Sequence, residues 1–401
     1  MRNSILRYIL LILLIGGLTA CEQENEMIVH EPGQRTVLIY FVADNNGLAS
    51  WLTYDLDELK AGIATYGLFD SQHVLAYVDR GGQASLIELV ERNGIAVEKV
   101  VKTYPDRNST GVAEMQEVFD DVFQNEAYQA ESYGFVYWSH GEGWMPYPLP
   151  ATRWVGQDKG SGDKRMNISE LKQVLDTAPH FDFIMFDACF MQSIEVAYEL
   201  RKYCNYMISS PTETPGPGAP YDAIFPYLLK ENASVELADA YFSIYNELYT
   251  PSVYCIDPWK MGASICVIKM SELEALASVT CQVLQSLNGD FTVNLKGLRS
   301  GIFNYDQRTN DIGYYDYANL MKSVLDPVVY TVWKKSFDST VACWNTTEEN
   351  FSSYKKTNNG RFSMTGANGV SHYIPSSPDT EACAAYRSLE WYEDAGISRL
   401  W

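Results

Sequence analysis

The stretch FDFIMFDACF, residues 181–190, decides how the chain is read. From Phe181 to Phe186 nearly every residue is apolar, with no polar alternation, and the run stops at Asp187, Ala188 and Cys189. That is the pattern of a central parallel strand covered on both faces. Open α/β sheets place their sites outside the carboxyl edge, where this cysteine falls. Upstream, YGFVYWSHG (133–141) is a second apolar strand, and it delivers His140 and Gly141. Two neighbouring parallel strands ending in His and Cys bring an imidazole and a thiol into one cleft, the arrangement a cysteine nucleophile needs.

Either residue alone carries little. A buried Cys is ordinarily a small core hydrophobe, and a His at a strand end is ordinarily structural. The pairing is what counts, with an acidic residue two before the Cys and a glycine just after the His. Forty-nine residues separate His140 from Cys189, close to the interval of about 50 found in caspases. The HG and DAC motifs, with the helix MQSIEVAYELR after the second, resemble the clostripain family of cysteine peptidases. The resemblance covers most of 36–380, although only the HG, the DAC and the loop ETPGPG (213–218) are specific. It implies an α/β fold: a caspase-like three-layer sandwich, a mostly parallel central sheet flanked by helices, with a C-terminal extension.

Roles follow. Cys189 is the expected nucleophile, since the thiolate is the reactive form, and His140 the expected general acid and base. No third residue that would orient the imidazole is evident. The resemblance points to the backbone N–H groups of Gly141 and Cys189 as oxyanion donors, and glycine at 141 lets the chain pass close to a substrate. Asp187 faces the same side as Cys189 in an extended chain. In the family the matching Asp lines a pocket for a basic side chain, which it would hold as a charge-assisted pair; otherwise Asp187 is a structural carboxylate bonded to nearby N–H groups. The basic-specific members carry a second acid in the loop after the next strand, where this chain offers only Glu213, so a preference for Arg or Lys stays open. Glu213 and Thr214, with Gly216 and Gly218, match the family's pocket loop. Asn45 and Asn46, beside Asp44, resemble cleft-lining residues after the first strand, or are plain turn chemistry.

The chain opens with MRNSILRYILLILLIGGLTAC. Basic residues, a short apolar run and small residues before a Cys read as a secretory signal, and its ending resembles a bacterial lipobox. Residues 1–21 are therefore expected to be a signal peptide ending at Cys21, the lipidated residue, and 22–34 a flexible acidic tether. That makes the protein an exported lipoprotein, periplasmic or anchored at the outer membrane or cell surface. About 380 residues follow the signal, enough for one large α/β domain with an appended part. The core is expected over 35–290 and a C-terminal part packed on it over 291–401.

Within the core, TVLIYFVAD (36–44) reads as the first strand and HVLAYVDRGG (73–82) as the second, with a hairpin at Asn93-Gly94. The Pro- and Gly-rich segment 142–167 lies between the two site strands and is expected to be a mobile linker. Family members are activated by self-cleavage after a basic residue here. The candidates are Arg153, Lys159, Lys164 and Arg165, with 159–165 the most exposed by composition. The net charge of −21 argues against nucleic acid as a partner. The expected partners are protein or peptide substrates, and the membrane through the lipid on Cys21.

Apart from Cys21 and Cys189, the six remaining cysteines are scattered, without zinc-ligand spacing, and are expected to be mostly buried free thiols. Five histidines without HExxH, and no Walker motif, give no metal or nucleotide site. No cofactor is expected; some relatives respond to calcium, which stays open because no Asp-rich loop is present. Three functions compete: a cysteine endopeptidase, a non-catalytic caspase-like surface lipoprotein binding peptide or glycan, and a thiol acyltransferase using the same dyad. The 28 tyrosines and nine tryptophans could line a sugar platform, but a binding module has no need of both His140 and Cys189.

Overall fold

Strand β1 (Gly33–Val42) is buried along most of its length because alternate side chains enter two different cores. Leu38, Tyr40 and Val42 point into one, and Val37, Ile39 and Phe41 into the other. A strand of this kind has helices on both sides. A computed structural model describes residues 33–44, 47–145, 155–252, 254, 256–287 and 292–401, which belong to one compact unit.

After β1 come α1 (Ala49–Tyr66), β2 (Gln72–Asp79), β3 (Ser85–Arg92), β4 (Ile95–Thr103), α2 (Val112–Phe123) and β5 (Ala130–Trp138). A short hairpin, β6 (Val155–Asp158) and β7 (Lys164–Met166), precedes α3 (Ile168–Leu175) and β8 (Phe181–Asp187). Next are α4 (Ile194–Leu200), β9 (Cys204–Ser209), α5 (Tyr221–Leu228), α6 (Ser234–Leu248), β10 (Ser264–Lys269) and α7 (Leu273–Gln285). The C-terminal part adds β11 (Tyr314–Asp316), α8 (Pro327–Thr340), β12 (Val341–Thr346), β13 (Glu349–Phe351), β14 (Arg361–Ser363) and β15 (Ser371–Tyr373).

Nine strands form the main sheet in the order β12-β10-β9-β8-β5-β1-β2-β3-β4. The central five, β9-β8-β5-β1-β2, are parallel. Antiparallel pairs extend the sheet at both ends. One face is covered by α1, α5 and α6, the other by α2, α3, α4, α7 and α8. The α1–α5 contact is close because Gly62 lacks a side chain: a Cβ there would lie 2.6 Å from Cβ of Phe225. The Asn93-Gly94 turn joins β3 to β4 with both residues at positive φ, 55° and 76°, as a two-residue hairpin of this hand requires.

Two expectations need correction. The linker 142–167 is not without regular structure: its second half is the β6–β7 hairpin, which docks on the loop after β5 through an antiparallel bridge between Gly141 and Val155. Nor does the sheet end with the core expected over 35–290. The C-terminal part supplies the edge strand β12, paired with β10, and twelve of its buried apolar residues from Ile302 to Phe337 share the larger hydrophobic core with β5 and β8. The described cysteines are free, with Cys204, Cys266 and Cys383 buried, as expected. Cys21 and Cys255 lie outside the described residues.

Candidate active site

The site is built by register. In the parallel pair β5–β8, Trp138 stands opposite Asp187, so the two strands end level and release Ser139-His140 and Ala188-Cys189 side by side. The thiol and imidazole line one cleft of about 370 Å³. Between Phe181 and Leu200 every residue is buried except Cys189, which is half-buried. The chain turns sharply behind it: Phe190 adopts φ 59°, a left-handed conformation unfavourable for a bulky residue. That turn is held by Phe190 N–H on the Thr212 carbonyl at 2.9 Å and Gln192 N–H on the Ser210 carbonyl at 3.1 Å. The late strand motif NGVSHYIP closes on the same segment, with Ser371 N–H on the Gln192 carbonyl at 3.0 Å and Tyr373 N–H on buried Glu195 Oε1 at 2.7 Å.

The His140 loop is fixed on its other side by the hairpin. Gly156 N–H donates to the His140 carbonyl at 2.9 Å, and Gln157 N–H to Ser139 Oγ at 3.1 Å. Gly141 is required by close approach, since a Cβ there would sit 2.8 Å from both Cβ of Ala188 and the Cys189 carbonyl oxygen. The next residue, Glu142, is tied to the C-terminal part. Arg308 pairs with its carboxylate at 3.0 Å, and Tyr314 Oη donates to its carbonyl at 2.8 Å. The Arg308 guanidinium also lies 3.8 Å from the Tyr354 ring centre, a cation–π contact.

Both members of the pair rest neutral. Burial pushes the Cys189 thiol up to about 12, and the carboxylates of Glu213, Glu142 and Asp187 act the same way, against the Thr214 N–H that donates to Sγ at 3.3 Å. Burial, with the Lys159 ammonium, moves His140 below its ordinary value, against Glu142. No hydrogen bond joins the thiol to the imidazole, and no described carboxylate bonds the ring. The N–H groups of Gly141 and Cys189 have no acceptor among the described residues.

Asp187 forms the floor. Its Oδ2 accepts from Ala219 N–H at 2.9 Å and Tyr221 Oη at 3.2 Å, and burial raises its carboxyl to about 6. Gly218, at φ 68°, leaves room for it, because a Cβ there would be 2.7 Å from Oδ2. Oδ1 takes no hydrogen bond and is left to the cleft. Beneath lie Asp55 and Glu58, raised by burial to about 9 and about 8, so of these three carboxyls Asp187 is the most readily ionised.

Glu213 and Thr214 line the cleft, as do Gly216 and Gly218. Glu213 Oε1 accepts from Ser353 N–H at 3.0 Å and from its Oγ at 2.6 Å. Asn45 and Asn46 lie outside the described residues. Asp44 is not among the residues lining the cleft; its carbonyl accepts from Lys159 N–H at 2.8 Å, in the hairpin. The sequence reading missed Ser139, Gln157, Ser353 and Tyr354 in the cleft wall and Arg308 behind it. None belongs to a motif; only proximity in the fold selects them.

Among the described residues no group of three or more His, Cys, Asp or Glu side chains is arranged to hold a metal ion.

Neighbouring strand ends that deliver a His and a Cys over an acidic pocket, on a mostly parallel sheet between two helical layers, define a cysteine peptidase of caspase-like fold. The clostripain family model matches residues 39–398, and the chain belongs to that family. It is similar to a secreted C11 cysteine protease from Bacteroides thetaiotaomicron solved with an irreversible peptide inhibitor. That likeness has 40% identity and a TM-score of 0.83, and covers 92% of this chain and all of that one. An inactive zymogen C11 protease from Parabacteroides distasonis is 28% identical, with a TM-score of 0.76 over 91% of this chain and 99% of its own. Clostripain of Hathewaya histolytica is 25% identical over 223 residues, 48% of this chain; the match spans only 42% of that protein's length.

A neutral pair has a kinetic signature. Alkylation of Cys189 by iodoacetamide in the uncut chain, followed on its own peptide by mass spectrometry, should rise about tenfold per pH unit between pH 6 and 9. A plateau reached below pH 7 would mean a preformed thiolate–imidazolium pair and sink this account.

Proposed function

We propose that the protein is a cysteine endopeptidase that cuts after Arg or Lys with a His140/Cys189 dyad. The observation that carries this reading is the level ending of β5 and β8, which sets thiol, imidazole and two N–H groups without acceptors around one cleft floored by Asp187. His140 takes the Cys189 proton as Sγ attacks the scissile carbonyl, and the oxyanion sits between the Gly141 and Cys189 N–H groups. The imidazolium then protonates the departing amine, leaving an acyl-thioester. Water, deprotonated by His140, hydrolyses it and restores the thiol. A thiol close to 12 favours attack coupled to proton transfer over a standing thiolate.

The basic preference rests on Asp187, whose free Oδ1 faces the cleft and whose charge no ion pair neutralises. Glu213 adds a second carboxyl to the wall. Turnover of a fluorogenic peptide library is expected after Arg and Lys and lost in Cys189→Ala and His140→Ala. Asp187→Asn should lower kcat/KM on Arg substrates about 10- to 100-fold, the worth of a hydrogen bond to a charged group. Because Asp187 titrates near 6, it is ionised above that pH and neutral below it. KM for Arg peptides should therefore climb as pH falls through 6, and Asp187→Asn should abolish that limb. Cysteine-dependent cleavage after some other residue would keep the dyad and discard the basic pocket.

Activation by a cut in 142–167 is part of the proposal, and a similar chain from Parabacteroides distasonis is a zymogen. Of the basic candidates, Lys159 has its N–H bonded to Asp44, while Lys164 and Arg165 pair with Asp158 and Gln157 across the hairpin. A peptidase binds its substrate extended, so cutting there requires the hairpin to unravel. We therefore place the cut after Arg153, which lies outside the described residues. Arg153→Ala should migrate as one chain under denaturing conditions, and a triple alanine variant at Lys159, Lys164 and Arg165 as two. A lower fragment whose N-terminus falls between 160 and 166 would reverse this assignment.

Export fits the secreted relative, and we propose that Cys21 carries the lipid that holds the enzyme to a membrane. Wild type should partition into the detergent phase and Cys21→Ala into the aqueous one; equal partitioning of the two would remove the anchor.

A further inference from the structure

The turn Glu213–Gly216 has a second side. Beyond it lies another pocket, of about 200 Å³, which shares that turn and Ser353 with the catalytic cleft and is completed by Pro258, Met261, Gly262 and Phe351. Its own residues are apolar. An aromatic row adjoins it, half-buried at Trp51 and Trp259 and exposed at Tyr54: a Cβ at Gly216 would be 3.3 Å from the Trp51 indole, Trp51 packs edge-on against Tyr54 at 6.0 Å, and Tyr54 lies 6.3 Å from Trp259. Close by in sequence, Tyr254 and Ile256 are 85% and 88% exposed. This apolar surface is continuous with the catalytic cleft through the shared turn, and that continuity identifies its occupant.

The chemistry orients the occupant. The leaving amine departs toward His140, which protonates it, so the leaving half of a substrate lies along Ser139–Glu142. The second pocket shares no residue with that wall; it borders the turn whose Thr214 N–H reaches Cys189 Sγ, which assigns it to the acyl side. Its partition from the cleft carries the Glu213 carboxyl, with Oε1 held by Ser353 and Oε2 buried without a hydrogen-bond partner. Burial holds the Glu213 carboxyl above its ordinary value, and a second carboxylate brought beside it would be desolvated in its turn and repelled wherever Glu213 is ionised.

We propose that this pocket is a specificity subsite that takes an apolar or aromatic side chain two to four residues before the scissile bond and rejects an acidic one. The proposal rests on the peptidase reading of the neighbouring cleft and extends it to a second determinant of substrate choice.

The test uses peptides carrying the residue best accepted before the scissile bond, with Leu, Phe, Gly or Asp at each of the three preceding positions. Two quantities are read: kcat/KM with the wild type, and the dissociation constant on the inactive Cys189→Ala chain by fluorescence anisotropy. At one position Leu or Phe should exceed Gly by roughly 10-fold, the scale of burying one apolar side chain, and Asp should fall below Gly. Phe351→Ala and Met261→Ala, each checked for an unchanged melting temperature, should shrink the apolar gain, and Glu213→Gln should lift the penalty on Asp. A flat profile in both measurements, or an apolar preference unaltered in both alanine variants, overturns the proposal. Selective binding to the Cys189→Ala chain without any turnover by the wild type would uphold the subsite and overturn the peptidase reading.

Discussion

Everything in the site depends on the register of one parallel strand pair. Trp138 opposite Asp187 makes β5 and β8 end together, and the dyad is what those two chains do next. The register is not free to slip. Phe135 and Tyr137, with Ile184 and Phe186, enter one core, while Val136 and Trp138, with Phe183 and Met185, enter the other. A shift by one residue would send each set to the wrong face. The hydrophobic packing of two opposite layers thus fixes the relative position of the thiol, which itself packs against the larger core, and of the imidazole. Catalytic geometry here is a consequence of sheet packing.

Burial has a second consequence. The cleft is shielded and surrounded by carboxyl groups, so the thiol is held far above its usual range and the imidazole below its own. Such a dyad is quiet toward small electrophiles. On the proposed function, a substrate changes that balance by its own charge. A guanidinium seated on Asp187 offsets one of the carboxylates that disfavour the thiolate, so the nucleophile is favoured when a basic side chain is in place. Asp55 and Glu58, kept neutral below by desolvation, do not compete with Asp187 for that cation.

How far the sequence could be read follows from which interactions are local. The strands around His140 and Cys189 announce themselves because a strand buried on both faces needs an unbroken apolar run. The Asn93-Gly94 turn announces itself because only such residues adopt its dihedrals cheaply. The β6–β7 hairpin was hidden by the opposite circumstance: GQDKGSGDKRM has the composition of a loop, and it forms strands because Gly156 and Gln157 find partners on the His140 loop. Strand β12 was equally opaque, since ACWNT has no clear alternation and is only half-buried at the sheet edge. Arg308, Ser353 and Tyr354 reach the site from more than a hundred residues downstream, and no period or motif in their own neighbourhood signals it.

Those distant residues explain why the chain continues past its apparent core. Phe190 holds a left-handed conformation immediately after the nucleophile, a strain on the order of 1–3 kcal/mol for such a residue. Left alone, the turn would relax and Cys189 would lose its direction. The carbonyls of Thr212 and Ser210 hold it from one side, and the strand at Ser371–Tyr373 bonds the Gln192 carbonyl and the Glu195 carboxyl on the far side of the turn. Arg308 and Tyr314 do the same for the opposite wall through Glu142. The two loops that carry the dyad come from the central sheet, and their conformations are held jointly by neighbouring core segments and by the C-terminal part. A site assembled this way behaves as one unit with the last hundred residues. The part expected over 291–401 thus contributes an edge strand to the sheet and contacts to both walls of the candidate site.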